Sequence, residues 1–459
     1  MDMHSLDATR DRADDYLFGP RPAWFAFAMT VALMMVDYID RQVIVSLFPH
    51  LKEAWSLSDK QLGSLVSVVS VTVALGALPI ALFADRASRV GSIVAMATTW
   101  SLATIGCMFT RNFGQLFAAR ALVGLGEAGY GAVGSALIAS HFPARMRGAL
   151  MAGFFAAGAV GSVLGVVLGG LIAARWGWQA AFGVVGVPGL VLALLYSKVR
   201  DYRTVALTPR LDRATRSTGS AARAVVQALG RAPTMLWVSI GGSAQLIVVS
   251  AMWSWLPSYL NRVRGLAPDR AALAAALVVL CGALGAVLWG FVVDRAGRGR
   301  PRAKLHALAV LCVASMATLG FAFAAPHLGM PLSAGTEFAV ICAGALLMTC
   351  TVGPVVAVVI DVIHPGIRAT GASVLALFQN LFGLAAGPFI AGVLSDAWSL
   401  PVALAVMPLF GLLAAGAFLV AVRSYEPDMR RVNDRLREEA AGASDAPPQG
   451  VQGPAPSLS

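Results

Sequence analysis

The chain has 459 residues, of which 58% are hydrophobic and only 13% are charged, and its mean hydropathy is +0.73. This is more apolar surface than a soluble domain could cover with polar residues, which excludes the soluble classes and indicates a membrane protein. The formal net charge of +11 would suit nucleic acid only if the basic residues were gathered on one soluble face, and they are spread along the chain.

The N-terminal segment to Pro22 carries five Asp and three Arg without an apolar run ahead of a small-residue cleavage site, so we expect no cleaved signal peptide. Beyond it lie twelve apolar segments of about 20 residues or more, each long enough to cross a bilayer as a helix. In chain order the segments are 23–48, 61–84, 91–110, 113–140, 148–173, 179–198, 234–260, 271–293, 305–325, 337–362, 370–395 and 401–424.

The basic residues between these segments predict the orientation of the chain. Of the 35 Lys and Arg, 26 lie on the side of the N-terminus and 7 on the opposite side, while Arg41 and Arg120 lie inside apolar segments. By the positive-inside rule, we expect both termini in the cytoplasm. The net charge is therefore a signal of topology, and nucleic acid is excluded as a partner.

An internal repeat divides the chain into two halves. The peptide ALFADRASR at 81–89 recurs as GFVVDRAGR at 290–298, 209 residues later, on either side of a long Arg-rich connection. Both copies resemble the G-x3-D-R-x-G-R motif of the major facilitator superfamily, with Ala81 and Ser88 at the two glycine positions of the first copy. This resemblance implies an all-α membrane protein with twelve transmembrane helices in two six-helix halves and a substrate site between them. The expected divisions are a cytoplasmic N-terminal segment (1–22), an N-terminal six-helix bundle (23–198), a cytoplasmic linker (199–233), a C-terminal six-helix bundle (234–424) and a disordered cytoplasmic tail (425–459).

The same resemblance implies a conformational latch at the two repeated peptides, which helps to hold the outward-facing state. An aspartate there can meet arginine side chains or a helix N-terminus, and small residues permit a sharp turn. The alternative is that the arginines only follow the positive-inside rule. The latch residues are Asp85, Arg86, Arg89, Gly290, Asp294, Arg295, Gly297 and Arg298.

Charged residues interrupt the first and fourth apolar segments. Asp37, Asp40 and Arg41 are three and four positions apart, so they can share one face of a helix. Arg120 and Glu127 are about two turns apart and also face one direction. A rise of about 1.5 Å per residue puts Asp37 and Arg120 at the same depth, which predicts an Asp/Arg/Glu cluster in which Arg41 or Arg120 pairs with Asp37. Ionisable groups at such depth are a functional-site hypothesis, and the alternative is a static salt-bridge network.

Other polar residues in apolar segments are candidates for a ligand cavity. Gln379 and Asn380 lie on the eleventh segment, and the remaining candidates are Gln245, Ser250, Thr349 and Thr351. The alternative for each is a hydrogen bond between helices. The GLGEAG run at 124–129 lies inside an apolar segment rather than after a strand, so its glycines are interpreted as packing residues and not as a dinucleotide site.

The sequence predicts no enzyme, no cofactor and no metal site. Its five cysteines lie inside apolar runs without CxxC spacing, which favours neither a disulfide framework nor a zinc site. The signatures HExxH, GxSxG and GxxxxGK[ST] are not found. Without an ATP-binding domain, we expect any transport to be driven by a gradient.

Three stretches resemble the bacterial branch of the spinster group of major facilitators, namely DYIDR at 37–41, the run at 120–148 and the run at 176–195. This resemblance implies transport of lysophospholipids or sphingoid lipids, with proton coupling suggested for some members. The charged positions of that group match Asp40, Arg41, Arg120 and Glu127, while Asp37 stands where the group often has Asn. A DR at the end of the first helix is also found in anion:cation symporters.

Together these features predict a secondary active transporter that works by alternating access, with Asp40 and Glu127 carrying protons. Its substrate-binding or charge-network residues would be Asp37, Arg41, Arg120, Tyr130, Gln379 and Asn380. The expected partners are a lysolipid-like or other amphipathic anionic substrate, protons and membrane lipids, and the chain is expected to be a monomer. The alternatives are a small organic anion symporter or drug exporter of the same fold, and a non-transporting receptor or scaffold.

Overall fold

Helices make up the regular structure in a computed structural model of the chain, which describes residues 16–86, 88–201, 232–330, 332–363 and 368–444. The N-terminal half has α1 (Pro20–Trp55), α2 (Asp59–Arg86), α3 (Arg89–Cys107), α4 (Phe113–Glu127), α5 (Tyr130–His141), α6 (Ala144–Trp176) and α7 (Trp178–Tyr196). The C-terminal half has α8 (Pro233–Arg262), α9 (Pro268–Ala296), α10 (Arg302–Ala324), α11 (Ala334–Met348), α12 (Pro354–Asp361), α13 (Arg368–Phe378), α14 (Ala386–Ala397), α15 (Leu400–Val406) and α16 (Phe410–Ser444). A π-helix at Gln379–Leu384 joins α13 to α14, and 3-10 turns at Ala325–Leu328 and Met407–Leu409 follow α10 and α15.

Twelve crossings can be traced in the described part of the chain. Eleven helical segments are long and apolar enough to span a membrane, while the tenth predicted span is divided into α11 and α12 by a turn at 349–353. Pro354 opens α12 and has no backbone N–H with which to continue the helical ladder, so the division falls just before it. The two pieces together supply the twelfth crossing, and the predicted twelve-helix architecture in two halves is confirmed.

The fourth predicted span is also interrupted, between α4 and α5. Gly129 has φ of +88°, in the left-handed region that favours glycine. The helix therefore stops immediately after Glu127 and restarts at Tyr130.

The predicted disordered tail from 425 onwards is wrong for its first twenty residues, because α16 continues as a helix to Ser444. Its extension is fixed to the start of α8, where the Thr234 backbone N–H donates to the Asp428 carboxylate at 3.1 Å. Asp428 is 2% exposed, so tertiary contact overrides the polar composition that suggested disorder. Residues 202–231 of the predicted linker, and 1–15 and 445–459 at the termini, lie outside the described residues.

The two halves pack against each other at the end of the bundle where α1 ends and α2 begins, here called the Asp59 end. The Ser67 hydroxyl of α2 donates to the Ala385 carbonyl of the other half at 2.6 Å. The Phe48 and Trp255 rings lie 5.1 Å apart across the same interface, joining α1 to α8.

The first turn of α2 is held electrostatically by the C-terminal half. The Asp396 carboxylate accepts from the backbone N–H groups of Asp59 and Lys60, both at 2.8 Å, and so satisfies two donors that the helix start leaves without an intrahelical partner. Both terminal nitrogens of Arg262 donate hydrogen bonds to the Asp59 carboxylate, at 2.9 and 3.0 Å.

Further donors complete the coordination of Asp59. Lys52 contacts the carboxylate at 2.5 Å, and the Ser395 hydroxyl donates to it at 2.5 Å. Asp59, Arg262, Ser395 and Asp396 are here called the Asp59 lock, because three of these four residues belong to the half opposite Asp59. These charge-assisted hydrogen bonds hold the two halves together at the Asp59 end.

Replacing Asp59 by Asn should open the Asp59 end, because Arg262 and Lys52 lose the anion that holds them. A hydrogen bond to a charged group is worth about 1.5–3 kcal/mol, so we expect the closed-to-open ratio to fall by roughly ten- to a hundredfold. Spin labels at Ala54 and Arg270, with the native cysteines replaced by alanine, would report the longer distance by pulsed electron resonance. Glu53→Gln, which removes an exposed carboxylate at the same end, is the control and should leave the distribution unchanged. An unchanged distribution in Asp59→Asn would contradict the role of the lock.

Candidate functional site

The charged residues of α1 and α4 meet in the interior of the N-terminal half, as the sequence predicts. Asp37, Asp40, Arg120 and Glu127 are each 3% exposed or less. The side chain of Arg41 is 21% exposed and is the most accessible member. Buried charges at this depth are stable only when paired, so the pairing decides what each residue can do.

Arg41 lies between two carboxylates. Its Nε atom is 3.4 Å from Asp37 Oδ1, one turn earlier on α1, and 3.0 Å from Glu127 Oε2 at the end of α4. The guanidinium also lies over the Tyr38 ring, 5.5 Å from its centroid. Asp37, Arg41 and Glu127 are here called the Arg41 cluster. With both acids ionised the cluster carries one surplus negative charge, and a single proton would neutralise it.

Arg120 forms a separate and balanced pair. Its Nη1 atom lies 3.3 Å from Asp40 Oδ1 and 3.4 Å from the Asp40 backbone carbonyl. The Thr104 hydroxyl of α3 donates to the other oxygen of the same carboxylate. Arg120 is 1% exposed, so one cation and one anion neutralise each other inside the bundle. This arrangement matches the static salt bridge that is the alternative to function.

Of the two predicted partners of Asp37, the structure shows Arg41, while Arg120, which lies at the same depth, contacts Asp40 instead. Two side chains at equal depth on neighbouring helices meet only if both helices are rotated so that the side chains face each other. Asp37 and Asp40 are three residues apart and point in directions about 60° apart. That difference sends Asp40 towards α3 and α4 and leaves Asp37 beside Arg41.

Glycines on α6 hold α1 in place. A Cβ atom at Gly165 would lie 2.6 Å from the Ile39 carbonyl, and one at Gly169 would lie 2.6 Å from the Val43 carbonyl. The small-residue face of α6 thus lets the two backbones touch on either side of Arg41. In α4, a Cβ at Gly126 would lie 2.6 Å from the Trp100 backbone nitrogen. Gly126 in the GLGEAG run is therefore a packing residue, as interpreted from the sequence.

Tyr130 lies in the core of the N-terminal half. Its hydroxyl donates to the Thr30 carbonyl at 2.6 Å, and its ring packs edge-on against Trp100 with centroids 5.4 Å apart. With 1% exposure, it anchors the restart of the fourth crossing to α1. Its described contacts are structural, and they position the segment that follows Glu127.

Four of the polar candidates of the C-terminal half donate hydrogen bonds to backbone carbonyls. Asn380 donates to Ala376 at 2.9 Å within its own crossing, and both Gln379 and Asn380 lie half-buried in the π-helix. Gln245 is fully buried and donates to the Met348 carbonyl at 3.0 Å, next to the turn that divides the tenth crossing. Ser250 donates to Gly383 at 3.1 Å and Thr349 to Gly282 at 2.7 Å. In the described conformation Gln245, Ser250 and Thr349 make the hydrogen bonds between helices that were the alternative for them.

The second copy of the repeated peptide makes loose contacts. The Asp294 carboxylate is 60% exposed and lies 3.9 Å from Lys304 Nζ, which sits closer to Asp361 at 3.1 Å. Gly297 has φ of −75°, so a left-handed turn is not what requires glycine there; a Cβ atom would instead collide with the Lys304 side chain. Gly290 has open space around it, and Arg295 and Arg298 are exposed.

The first copy is described only in part. The side chains of Asp85 and Arg86 lie outside the described residues. Arg89 begins α3, where the Ser88 hydroxyl accepts from the Gly91 backbone N–H at 2.7 Å and caps the helix. The latch stays a prediction.

The Asp59 lock was not predicted from the sequence, because Lys52 and Arg262 count there only among the seven basic residues on the side opposite the N-terminus. A signal was available: charged residues are scarce on that side of the predicted membrane, and Asp59, Arg262 and Asp396 all stand at helix ends. Among the residues that the structure describes, no group of three or more His, Cys, Asp or Glu side chains could hold a metal ion.

The chain is similar in sequence to known proteins along most of its length. Residues 30–386 match the family model described as Major Facilitator Superfamily. Protein spinster homolog 1 of Xenopus laevis is 26% identical over 428 residues, which cover 86% of this chain and 80% of that protein. An MFS-type efflux pump of Mycolicibacterium smegmatis is 27% identical over 399 residues, which cover 84% of this chain and 87% of that protein.

Two solved structures show the same fold. A bacterial homolog of the human lysosomal transporter Spinster, in an inward-facing and unoccupied conformation, has a TM-score of 0.78 and 22% identity, covering 89% of this chain and 99% of that one. A D-xylose-proton symporter has a TM-score of 0.66 and 18% identity, covering 88% of this chain and 98% of that one.

Arg120→Gln should destabilise the fold, because it leaves the Asp40 carboxylate buried without its cation. Breaking a buried ion pair costs about 3–5 kcal/mol, and the melting temperature of the purified protein should fall accordingly. The double variant Asp40→Asn with Arg120→Gln should recover a substantial part of the loss, because neither charge remains. Arg111→Gln, an exposed arginine before α4, is the control. If Arg120→Gln melts like the parent chain, the pair is not structural.

Proposed function

Because the chain belongs to the Major Facilitator Superfamily and is spinster-like in sequence, we propose that it is a proton-coupled secondary transporter that moves an amphipathic anionic substrate by alternating access. It is a membrane transporter of that superfamily, and the family match over residues 30–386 extends across both halves.

The Arg41 cluster is the observation that carries the proposal. It has two carboxylates for one cation, and its guanidinium is the partly accessible member. An anionic headgroup that reached Arg41 would compete with Asp37 and Glu127 for it, and a carboxylate released in a buried site is stabilised by taking up a proton. Substrate binding and proton uptake would thus be linked through one arginine.

The contacts favour Glu127 over Asp40 as the proton carrier. Asp40 has a dedicated cation in Arg120 and a hydroxyl donor in Thr104. Glu127 shares Arg41 with Asp37, and it stands at the end of α4, beside the glycine that interrupts the crossing. We therefore propose Glu127 as the principal carrier, with Asp40 and Arg120 as a structural pair.

The closed Asp59 end supports a cavity that opens on the opposite side. The excess of basic residues predicts that the opposite side is cytoplasmic, with both termini there, in a bacterial inner membrane. The resulting state would be inward-facing, the conformation of the spinster-homolog structure with a TM-score of 0.78. Breaking the Asp59 lock and forming the latch of the repeated peptides would produce the outward-facing state.

The substrate class rests on chemistry and on resemblance. Arg41 suits an anionic headgroup, and the apolar helices around it suit a hydrocarbon tail, as expected for a lysolipid. The relative that is an MFS-type efflux pump supports the exporter alternative. A receptor or scaffold would keep the charge network closed and show no flux of any ligand.

Glu127→Gln should uncouple transport from the proton gradient. In proteoliposomes, one proton per monovalent anion supports roughly tenfold accumulation per unit of pH difference. The variant should lose this accumulation and keep substrate exchange in the absence of a gradient, which shows that it is folded and binds substrate. Thr104→Val, which alters the balanced pair without removing a charge, is the matched control and should keep gradient-driven uptake. Accumulation by Glu127→Gln equal to that of the parent would overturn the assignment.

A substrate screen separates the two transporter alternatives. Labelled lysophospholipids, hexuronates and aromatic acids would each be offered to the same proteoliposomes under a pH gradient. We expect uptake of lysolipid that Arg41→Gln reduces at least tenfold, because the headgroup loses its cation. Uptake of the small acids alone would replace the lysolipid proposal by an organic anion symporter.

A further inference from the structure

A partly open cavity of about 340 Å³ lies at the surface of the C-terminal half, away from the Arg41 cluster. It is formed where the end of α8, the start of α9 and the first turns of α11 come together. Leu260, Leu266, Phe338 and Ile341 line its apolar wall, and Arg264 and Glu337 are its charged members. These six residues define what is here called the Glu337 pocket.

Glu337 is an acid that the proposed transport mechanism does not use. It is 1% exposed, and the Tyr259 hydroxyl donates to its Oε1 atom at 2.5 Å. Arg264 pairs with the Oε2 atom, and its side chain is 30% exposed. A buried anion therefore faces a cation that can reach the surface.

The pocket spans the depth at which lipid headgroups meet the hydrocarbon core. Arg264 lies between the end of α8 at Arg262 and the start of α9 at Pro268, which is the level of the membrane interface. Ile341 is one turn further along α11 than Glu337, about 6 Å deeper. The charged residues of the pocket lie at the depth of a lipid headgroup, and its apolar wall lies at the depth of the acyl chains in the same leaflet.

We propose that the Glu337 pocket binds a membrane phospholipid whose headgroup carries both a phosphate and a protonated amine. The phosphate would pair with Arg264, the amine with Glu337, and an acyl chain would lie along Leu260, Leu266 and Phe338. Binding of such a headgroup would replace the Arg264–Glu337 ion pair by two ion pairs to the lipid, so that neither side chain is left with an unpaired charge. An anionic lipid would take Arg264 and leave Glu337 unpaired, which is costly for a buried carboxylate.

This inference is independent of the proposed transport function, because lipid retention can be measured without substrate or gradient. The purified full chain would be stripped of lipid in detergent, incubated with phosphatidylethanolamine or phosphatidylglycerol of the same acyl chains, and analysed by native mass spectrometry. We expect phosphatidylethanolamine to be retained about tenfold better. Equal retention of the two lipids would overturn the proposal.

Two variants on α11 separate the pocket from the general membrane surface. Ala334→Trp fills the pocket from an exposed position that lines it and should lose the preference. Ala339→Trp, also exposed but outside the lining, should keep it. Retention of phosphatidylethanolamine by Ala334→Trp at the parent's level would contradict the assignment.

Charge selection is tested by Glu337→Gln, which removes the acceptor for the amine and frees Arg264. We expect this variant to retain phosphatidylglycerol at least as well as phosphatidylethanolamine. A melting curve like that of the parent shows that the variant is folded. If Glu337→Gln still preferred phosphatidylethanolamine, Glu337 would not be the residue that selects the headgroup amine, and the proposal would be contradicted.

Discussion

The need to neutralise charge inside an apolar bundle governs this molecule. A cation or carboxylate at that depth persists only with a partner, so the buried charges of α1 and α4 must be paired with one another. Asp40 and Arg120 satisfy the requirement completely, with Thr104 as a further donor. Arg41 is shared by Asp37 and Glu127, which leaves one acid in excess. The neutral Asp40–Arg120 pair therefore stabilises the fold, while the Arg41 cluster, with its surplus acid, can take up a proton or give up its arginine to an anion.

The same requirement acts differently where the halves meet. The Asp59 lock lies near the end of the bundle, and the side chain of Arg262 is 29% exposed, so its bonds can exchange with water. Each of these bonds is worth about 1.5–3 kcal/mol, which is less than the roughly 3–5 kcal/mol for breaking an ion pair in the interior. Reversible contacts of this kind suit a transporter that must open each end in turn. The π-helix beside Ser67 and Ser250 puts an irregular stretch of backbone next to the same interface.

Much of the architecture was predictable, and so was the meeting of the charged residues of α1 and α4. Apolar segment lengths predict the twelve crossings, and the recurrence of DR-containing peptides predicts two halves. Charges inside apolar segments predict which residues form the site, because an ionisable group at membrane depth is costly and must face a partner or a cavity. The partners were not predictable, because depth along a helix leaves its rotation undetermined. The helix beyond Tyr425 was missed because burial of Asp428 against α8 outweighs local composition.

Hydropathy and charge along the chain were enough to decide that this is a twelve-helix membrane protein and which charged residues lie within its apolar segments, because transfer from water to lipid is a property of each segment separately. Only the tertiary structure decided which charged residues form ion pairs. Arg120 pairs with Asp40, and Arg41 lies between Asp37 and Glu127. Arg262 pairs with Asp59 of the other half. The first two pairings depend on how α1 and α4 are rotated towards each other, and the third depends on which ends of the two halves touch. Such contacts join residues as far apart as 203 positions, and no local pattern encodes them.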